Sequence, residues 1–575
     1  MIYSKLKRKK SKNVFVDPDE IFLDSKNIEN FDRQQFEGRI EKSISKKTIA
    51  FLGLCFIILF LGFTSRLIYL QIQKGGIYRQ KSDNNHLEKV IIFAERGIIY
   101  DRNKKELAWN KKVEGLLEKD KTTNENTINS FDFRAYISHG FSHILGYVSY
   151  PAQDKMGKFW QGEFKGKDGL EKEYNDKLIG TNGSKIIETD VYGKVHSENV
   201  VNIPERGEDL VTTLDRGVQQ ELFTLIKNAA IGSNFTGGAG VILDITNGEV
   251  LVATSYPEYN PEILSLGKDS KIISGYFTDK KKVFLDRTIS GLYAPGSIVK
   301  PIFALAALNE GIIDKSKQIL STGSISIDNP YLKDQKTVFK DWKAHGWTDM
   351  AEAIAVSSDV YFYTIGGGFG DQKGLRIDNI EKYSKLFGME EKTGIDLPDE
   401  KSGTIPSIAW KAKNFKGDIW RIGDTYHTAI GQYGFQVTPM EMARAIGAIA
   451  NNGVLVTPHL VLGDIEKENQ KTNLNFNLDY FNTVHEGMRQ AVTYGTAVSL
   501  NVPYVQVGAK TGTAQIGLTK NKVNSWVVGF FPYENPKYVF TIMMEAGPTT
   551  GAVNAASVMR NLLDWMSINT SEYFK

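Results

Sequence analysis

The chain has 575 residues, a length that favours more than one domain, and its 70 basic and 67 acidic residues leave a net charge of only +3. That balance lacks the basic footprint a nucleic-acid binder needs, so no nucleic-acid partner is expected. A single cysteine, Cys55, excludes a disulfide framework and a thiolate metal cluster.

Residues 1–47 are polar and charged with little periodicity, which predicts a partly disordered tail. The stretch "TIAFLGLCFIILFLGFTS" from Thr48 to Ser65 carries no charge and continues past Arg66 into "LIYLQI". A run of about 18 or more apolar residues suffices to cross a bilayer, so residues 48–72 are predicted to span one. The long leader and the lack of an Ala-x-Ala pattern point to an uncleaved anchor rather than a signal peptide. The basic run "KLKRKKSK" and Arg39, Lys42, Lys46 and Lys47 precede the span. Positive-inside counting then gives a single-pass protein of the cell membrane, with a cytoplasmic N-terminus and everything after the span outside the cytoplasm.

Residues 73–215 are rich in charge and in Gly and Asn turns; short, scattered strand-like pieces such as "KVIIFA" and "EDLVTTLD" predict a β-rich, irregular pedestal domain. From 216 the pattern becomes regular. "GVQQELFTLIKNAAI" has helical spacing in Val218, Leu222 and Leu225, and "GAGVILDITNGEVLVATSYP" reads as two strands joined at Asn247-Gly248. Residues 297–310, much of 351–366 and 438–451 read as helices; "YVQVGAKTGTAQI", "NSWVVGFFPY" and "KYVFTIMME" read as three consecutive strands, and "AASVMRNLLDWM" as a closing helix. Strands at both ends with helices between them predict one α+β domain over 216–575, an antiparallel sheet flanked by helices.

Chemistry enters at "GLYAPGSIVKPIFALAAL". On a helix, Ser297 and Lys300 share a face. The surrounding apolar residues predict a poorly solvated Lys300, whose amine, neutral part of the time, could deprotonate the neighbouring hydroxyl. Taken alone, Ser-x-x-Lys is common, and an N-cap serine with a snorkelling lysine is the better explanation of the pair. Two further elements decide otherwise: "AVSSDVYFY", with Ser357, Ser358 and Asp359 in a polar break between apolar helical pieces, and "GAKTGTAQ", with Lys510, Thr511, Gly512 and Thr513 in a strand. Ser-x-x-Lys, Ser-x-Asn/Asp and Lys-Thr-Gly in this order form the signature of penicillin-recognising serine enzymes. Gly512 has its own local reading, a strand position without a side chain where a peptide backbone can approach and pair as an added strand. Strict alternation puts Lys510 and Gly512 on one face and both threonines on the other.

On these motifs the chain resembles the class B penicillin-binding proteins, and most of all the elongation-type penicillin-binding protein 2 family. "ERGIIYDRN", "FSHILGYVS" and "GLEKEYNDKLIG" match that family's pedestal motifs, and "SYPEYNPE", "DWKAHG", "WRIGDT" and "AIGQYGFQVTP" its catalytic domain. The resemblance implies a transpeptidase domain of the serine β-lactamase type on an elongated pedestal behind one transmembrane helix. Ser297 would be the acylated nucleophile, Lys300 its general base, Ser357 a proton relay, Asp359 the occupant of a place often held by Asn, and Lys510 part of the proton network. Thr511, Gly512 and Thr513 would bind substrate, with Asp341 and Trp342 of the "DW" element beside them. Backbone N–H groups of Ser297 and Thr513 would form the oxyanion hole. The implied partners are peptidoglycan stem peptides on lipid-linked or nascent glycan strands, β-lactams, and a membrane glycosyltransferase of the shape, elongation, division and sporulation type. No cofactor is implied.

The chain departs from the family's pattern in three places. Between Asp101 and "FRAYISHG" it is shorter than usual, and "IGQYG" carries one residue more than the usual Ile-Gly-Gln-Gly. Some relatives could place a metal near the "DW" element; Asp341 and His345 are present, but Ser358 stands where a thiol would strengthen the site, so no metal is expected. His139 and His143 lack the Glu of a zincin pair and are read as structural. Two other functions compete with cross-linking: hydrolysis by the same fold, as a carboxypeptidase or β-lactamase, and a penicillin sensor or scaffold that activates a glycosyltransferase.

Overall fold

The computed structural model describes residues 45–83, 88–112, 132–154, 159–189, 195–329, 332, 334–517, 521–549, 551 and 553–575. The tail expected over 1–47 lies outside them up to residue 44, as does most of the shortened segment after Asp101.

The N-terminal unit is led by a helix, Lys46–Ile68, capped by the Ser45 hydroxyl on the Thr48 amide and continued by a π-helical turn, Tyr69–Gln73. At 1.5 Å per residue its 28 residues reach about 42 Å. No residue of Lys46–Ile68 is buried, and Phe56, Phe60 and Phe63 are each at least 70% exposed. It is long and apolar enough to cross a membrane.

The second unit, Leu87–Ile187 with Ser197–Lys575, holds the rest. Its first part is built of small sheets, as the scattered strand signals suggest. Glu88–Ile92 pairs antiparallel with Gly183–Thr189, and Leu210–Val211, Ile99–Tyr100, Glu106–Lys111 and Phe133–Tyr136 form a four-stranded sheet in that order. Between them Glu171, fully buried, accepts from Arg96 Nε at 2.5 Å and Arg134 Nε at 2.7 Å.

The remainder is organised by a five-stranded antiparallel sheet in the order Val250–Tyr256, Gly237–Asp244, Tyr538–Pro548, Lys522–Phe531, Gly508–Ile516. The N-terminal hairpin thus docks on the last strand, as expected of edge partners drawn from opposite ends of the sequence. Because strand side chains alternate, each strand feeds two cores. Val241 and Leu243 join the cluster containing Ile302, Phe303 and Ile446, whereas Ile242 joins Leu222, Val558 and Leu562. The helix Lys300–Asn309 is buried at every position from Lys300 to Leu308, which is why its sequence is apolar all round. The helices Arg216–Gly232 and Ala555–Asn569 cover the other side.

Pedestal and sheet domain share polar contacts. Tyr174 donates to Asp396 at 2.6 Å, Arg102 pairs with Glu249 at 2.9 Å, and Gln219 donates to the Gly140 carbonyl at 2.8 Å. His143, read as structural, is buried with Nε2 2.9 Å from the Val283 carbonyl.

Candidate active site

Ser297 sits in a single 3-10 turn, Gly296–Val299, that leads into the helix beginning at Lys300; Pro301 falls where its missing N–H costs nothing. Two close approaches pin this turn. A Cβ on Gly431 would lie 2.2 Å from the Gly296 carbonyl oxygen, and a Cβ on Gly512 would lie 2.8 Å from Ile298 Cγ2 and 2.9 Å from the Pro295 carbonyl oxygen. Gly512 is therefore required by packing against the Ser297 turn. The missing side chain serves that packing, while the backbone of Gly512, on the sheet's edge strand, lines the same cleft as Ser297.

The second element is a break between the helices Met350–Ala355 and Asp359–Gly367. Ser357 has φ +58°, a left-handed conformation uncommon for a residue with a Cβ, and Ser358 caps the second helix by accepting from the Tyr361 amide at 3.3 Å. This strained residue stands beneath both lysines. Lys300 Nζ donates to the Ser357 carbonyl at 2.8 Å, to Ser357 Oγ at 3.3 Å and to Asp359 Oδ1 at 2.6 Å. Lys510 Nζ donates to Ser357 Oγ and to the Thr511 carbonyl, both at 2.8 Å.

Both lysines are fully buried, yet only Lys300 has a carboxylate partner. Burial, reinforced by the Lys300 charge, pushes the Lys510 amine well below the ordinary lysine range, and Asp359 only partly offsets this. Desolvation thus acts on Lys510, a lysine for which the sequence offered no such argument. Ser297 Oγ has no hydrogen-bond partner among the described residues.

Ser297, Ser357 and Asp359 open on one cleft of about 440 Å³, lined also by Thr511, Gly512, Thr513 and Trp342 among others, with the two lysines buried behind Ser357. One wall is Gly508–Ile516, which is the sheet's edge strand. Along it Lys510 and Gly512 are buried, Thr511 is half-buried and Thr513 is exposed, the alternation expected. Trp342, 61% exposed, stands at the rim. The sequence reading missed Thr496, whose hydroxyl lies 2.7 Å from that of Thr511 and lines the same cleft. Only the Gly-Thr after a long helix hints at it.

Asp341 does not line the cleft. Its side chain is wholly buried, so the expectation that it binds substrate is corrected: the carboxylate faces protein on every side. Oδ2 accepts from Ser321 Oγ at 3.2 Å, Ser358 Oγ at 3.0 Å and the Val360 amide at 2.9 Å; Oδ1 accepts from the Trp342 amide at 2.8 Å and lies 3.5 Å from His345 Nε2. These residues do not fit a metal. They offer one carboxylate and one imidazole, and an amide proton already points at the oxygen a cation would need. Elsewhere Glu249, His459 and Glu468 bring ligand atoms within 4.8 Å of one another, but Arg102 already supplies the cation on Glu249.

The model of the penicillin-binding protein transpeptidase domain matches residues 238–564, and that of the penicillin-binding protein dimerisation domain matches residues 127–212. The chain belongs to the penicillin-binding protein transpeptidase family. Among curated relatives, peptidoglycan D,D-transpeptidase MrdA of Salmonella typhimurium is 31% identical over 76% of this chain and 73% of its own. MrdA of Acinetobacter baumannii is 28% identical over 91% of this chain and 88% of its own. Among solved structures, penicillin-binding protein 2 of Helicobacter pylori in complex with MreC superposes with a TM-score of 0.68 at 29% identity, covering 84% of this chain and 99% of that one. A structure described as coordinating polymerization and crosslinking in a peptidoglycan synthase complex gives 0.68 at 25% identity over 90% and 97%.

Proposed function

We propose that the chain is a membrane-anchored peptidoglycan D,D-transpeptidase that cross-links stem peptides through an acyl-enzyme on Ser297 during cell-wall elongation, and that β-lactams acylate the same hydroxyl. The observation that carries this reading is the convergence of Lys300, Ser357, Asp359 and Lys510, drawn from three distant motifs, on the cleft that Ser297 lines. Residues 216–575 act as the transpeptidase domain, 73–215 as the pedestal, 48–72 as the anchor and 1–47 as a cytoplasmic tail.

The chemistry runs as two acyl transfers. Ser297 Oγ bonds to the carbonyl carbon of the penultimate D-alanine, and the C–N bond to the terminal D-alanine breaks. The Ser297 proton passes to the lysine pair bridged by the Ser357 hydroxyl and leaves on the departing amine. The Ser297 and Thr513 amides hold the oxyanion, and Thr511 and Thr513 hold the terminal carboxylate. An amine from a second stem then attacks the ester, forming the cross-link and freeing Ser297. The Ser357 hydroxyl links the two amines, so Lys300, one turn after Ser297 and paired with Asp359, and Lys510, which has no carboxylate partner, act as one proton-accepting pair.

A donor thioester supplied with a D-amino acid tests the reading. Amidated product from wild type and none from Ser297→Ala supports transpeptidation; hydrolysed donor alone would favour a carboxypeptidase or β-lactamase. The MrdA relatives support the D,D-transpeptidase activity, and the synthase complex among the structural neighbours supports a polymerising partner, for which we propose a glycosyltransferase of the shape, elongation, division and sporulation type. Co-purification of that glycosyltransferase from membranes checks the partner, and proteolysis of intact cells checks that the catalytic domain lies outside the cytoplasm.

A further inference from the structure

The Ser357–Asp359 turn carries two of the groups on which the proposed reaction depends, and it is under strain. Ser357 is held at φ +58°, and it must stay there for its hydroxyl to meet Lys510 at 2.8 Å and Lys300 at 3.3 Å. A residue in a sparsely populated conformation persists only where its surroundings over-determine it. From below, the two lysines do so together with the preceding helix, whose Ile354 and Ala353 carbonyls accept from the Ser357 and Ser358 amides at 3.3 and 3.0 Å. From the other side, among the described residues, the side chain that grips the turn is Asp341. Its Oδ2 reaches both the hydroxyl of Ser358, the residue after Ser357, and the amide of Val360, the residue after Asp359. The two bonds straddle Asp359, whose own carboxylate points the opposite way, to Lys300.

The node is built for rigidity. Asp341 arrives directly after the strand Lys336–Lys340, with its backbone amide fixed to the Gly323 carbonyl at 2.9 Å. Ser321, at the end of the strand Ile319–Ser321 that pairs with Gly346–Thr348, adds a third donor to the same oxygen. No lysine or arginine pairs with this buried carboxylate among the described residues. Its charge is balanced by hydroxyl and amide donors at the start of a helix, where the backbone field favours an anion. His345 closes the other side with an Nε2 that has no hydrogen-bond partner among the described residues and a side chain only 4% exposed.

We propose that Asp341 is a positioning residue for acyl transfer: through hydrogen bonds from Ser321, Ser358 and the Val360 amide, and without a bound metal, it locks the Ser357–Asp359 turn in the shape that brings Ser357 and Asp359 to the two lysines. The inference rests on the acyl-transfer reading above and assigns Ser358 a role that its place between the motif residues Ser357 and Asp359 hides. Ser358 does not touch substrate; it transmits the Asp341 constraint to the residue beside it.

The test uses the full-length protein in detergent and the second-order rate of labelling by a fluorescent penicillin, with melting midpoints measured in parallel. Ser358→Ala is expected to label about 10- to 100-fold more slowly than wild type while melting within a few degrees of it, since small misplacements of catalytic groups cost that much. Ser358→Thr, which keeps the hydroxyl, is expected to recover most of the loss. Ser321→Ala, which removes the longest of the three bonds, is expected to fall between wild type and Ser358→Ala. Dialysis against a chelator, with or without added zinc, is expected to change nothing. The proposal is overturned if Ser358→Ala labels at the wild-type rate, if Ser321→Ala is slower than Ser358→Ala, or if chelation slows the wild type and zinc restores it. Labelling of Ser297→Ala would instead overturn the acyl-transfer reading itself.

Discussion

Two places in this molecule bury a pair of cations around one carboxylate, and they differ in how completely the carboxylate serves them. In the pedestal, Glu171 takes Arg96 on one oxygen and Arg134 on the other, at 2.5 and 2.7 Å. Asn110 ties the two arginines together, accepting from Arg134 at 3.2 Å and donating to the Arg96 carbonyl at 2.6 Å. Burial pushes the Glu171 carboxyl up, but the two guanidiniums outweigh it and hold the group below its ordinary value. In the cleft, Asp359 reaches only Lys300, and Lys510 must share the hydroxyl of Ser357. In the first both cations touch the carboxylate and a guanidinium does not give up its proton, so the cluster can only hold; in the second Lys510 touches no carboxylate, and an amine can exchange a proton. Composition does not separate the two clusters. Geometry does.

The contrast can be broken by substitution, and rates of labelling by a fluorescent penicillin rank the expected effects. Lys300→Met leaves Asp359 without its ammonium and Ser357 without one donor, and is expected to slow labelling by about 10³-fold, in the range general acid–base groups contribute. Lys510→Arg keeps a cation that cannot become neutral, and about 10²-fold slowing is expected; a wild-type rate would place the exchangeable proton elsewhere. Asp359→Asn keeps a hydrogen-bond acceptor and is expected to stay within about tenfold of wild type. Its pH profile carries the sharper signal. Asp359 raises the Lys510 value, so removing its charge lets that value fall further, and the acidic limb of the rate profile should move to lower pH. Glu171→Gln should leave the labelling rate of folded protein unchanged while costing about 3–5 kcal/mol of stability, because it strands a buried pair. That contribution is fully present above the unfolded glutamate value of 4.5 and is lost as pH falls through the lower folded value.

Much of the architecture was legible in the residues. The alternating strands, the Asn247-Gly248 connection and the apolar helix after Lys300 all appear where their patterns place them, because those patterns are local. The motif residues Ser297, Lys300, Ser357 and Lys510 could be grouped because their order along the chain is itself a signature. What stayed hidden depends on contacts between distant segments. No spacing rule says that the carboxylate of Asp359, rather than bare burial, faces Lys300, or that Asp341 turns inward to Ser358 instead of outward to substrate. The packing that demands a glycine at 512 was hidden as well, because the turn against it, Pro295 to Ile298, comes from more than two hundred positions earlier. The same holds for Glu171, whose arginine partners are 75 and 37 positions away.

Peptide mapping by mass spectrometry of the full-length protein after brief exposure to a penicillin addresses the acyl-enzyme itself. A single adduct equal to the intact drug, on the peptide that contains Ser297 and absent from Ser297→Ala, is the result expected. An adduct on any other hydroxyl, or unmodified Ser297 at saturating drug, would contradict the assignment of that cleft as the site of acyl transfer.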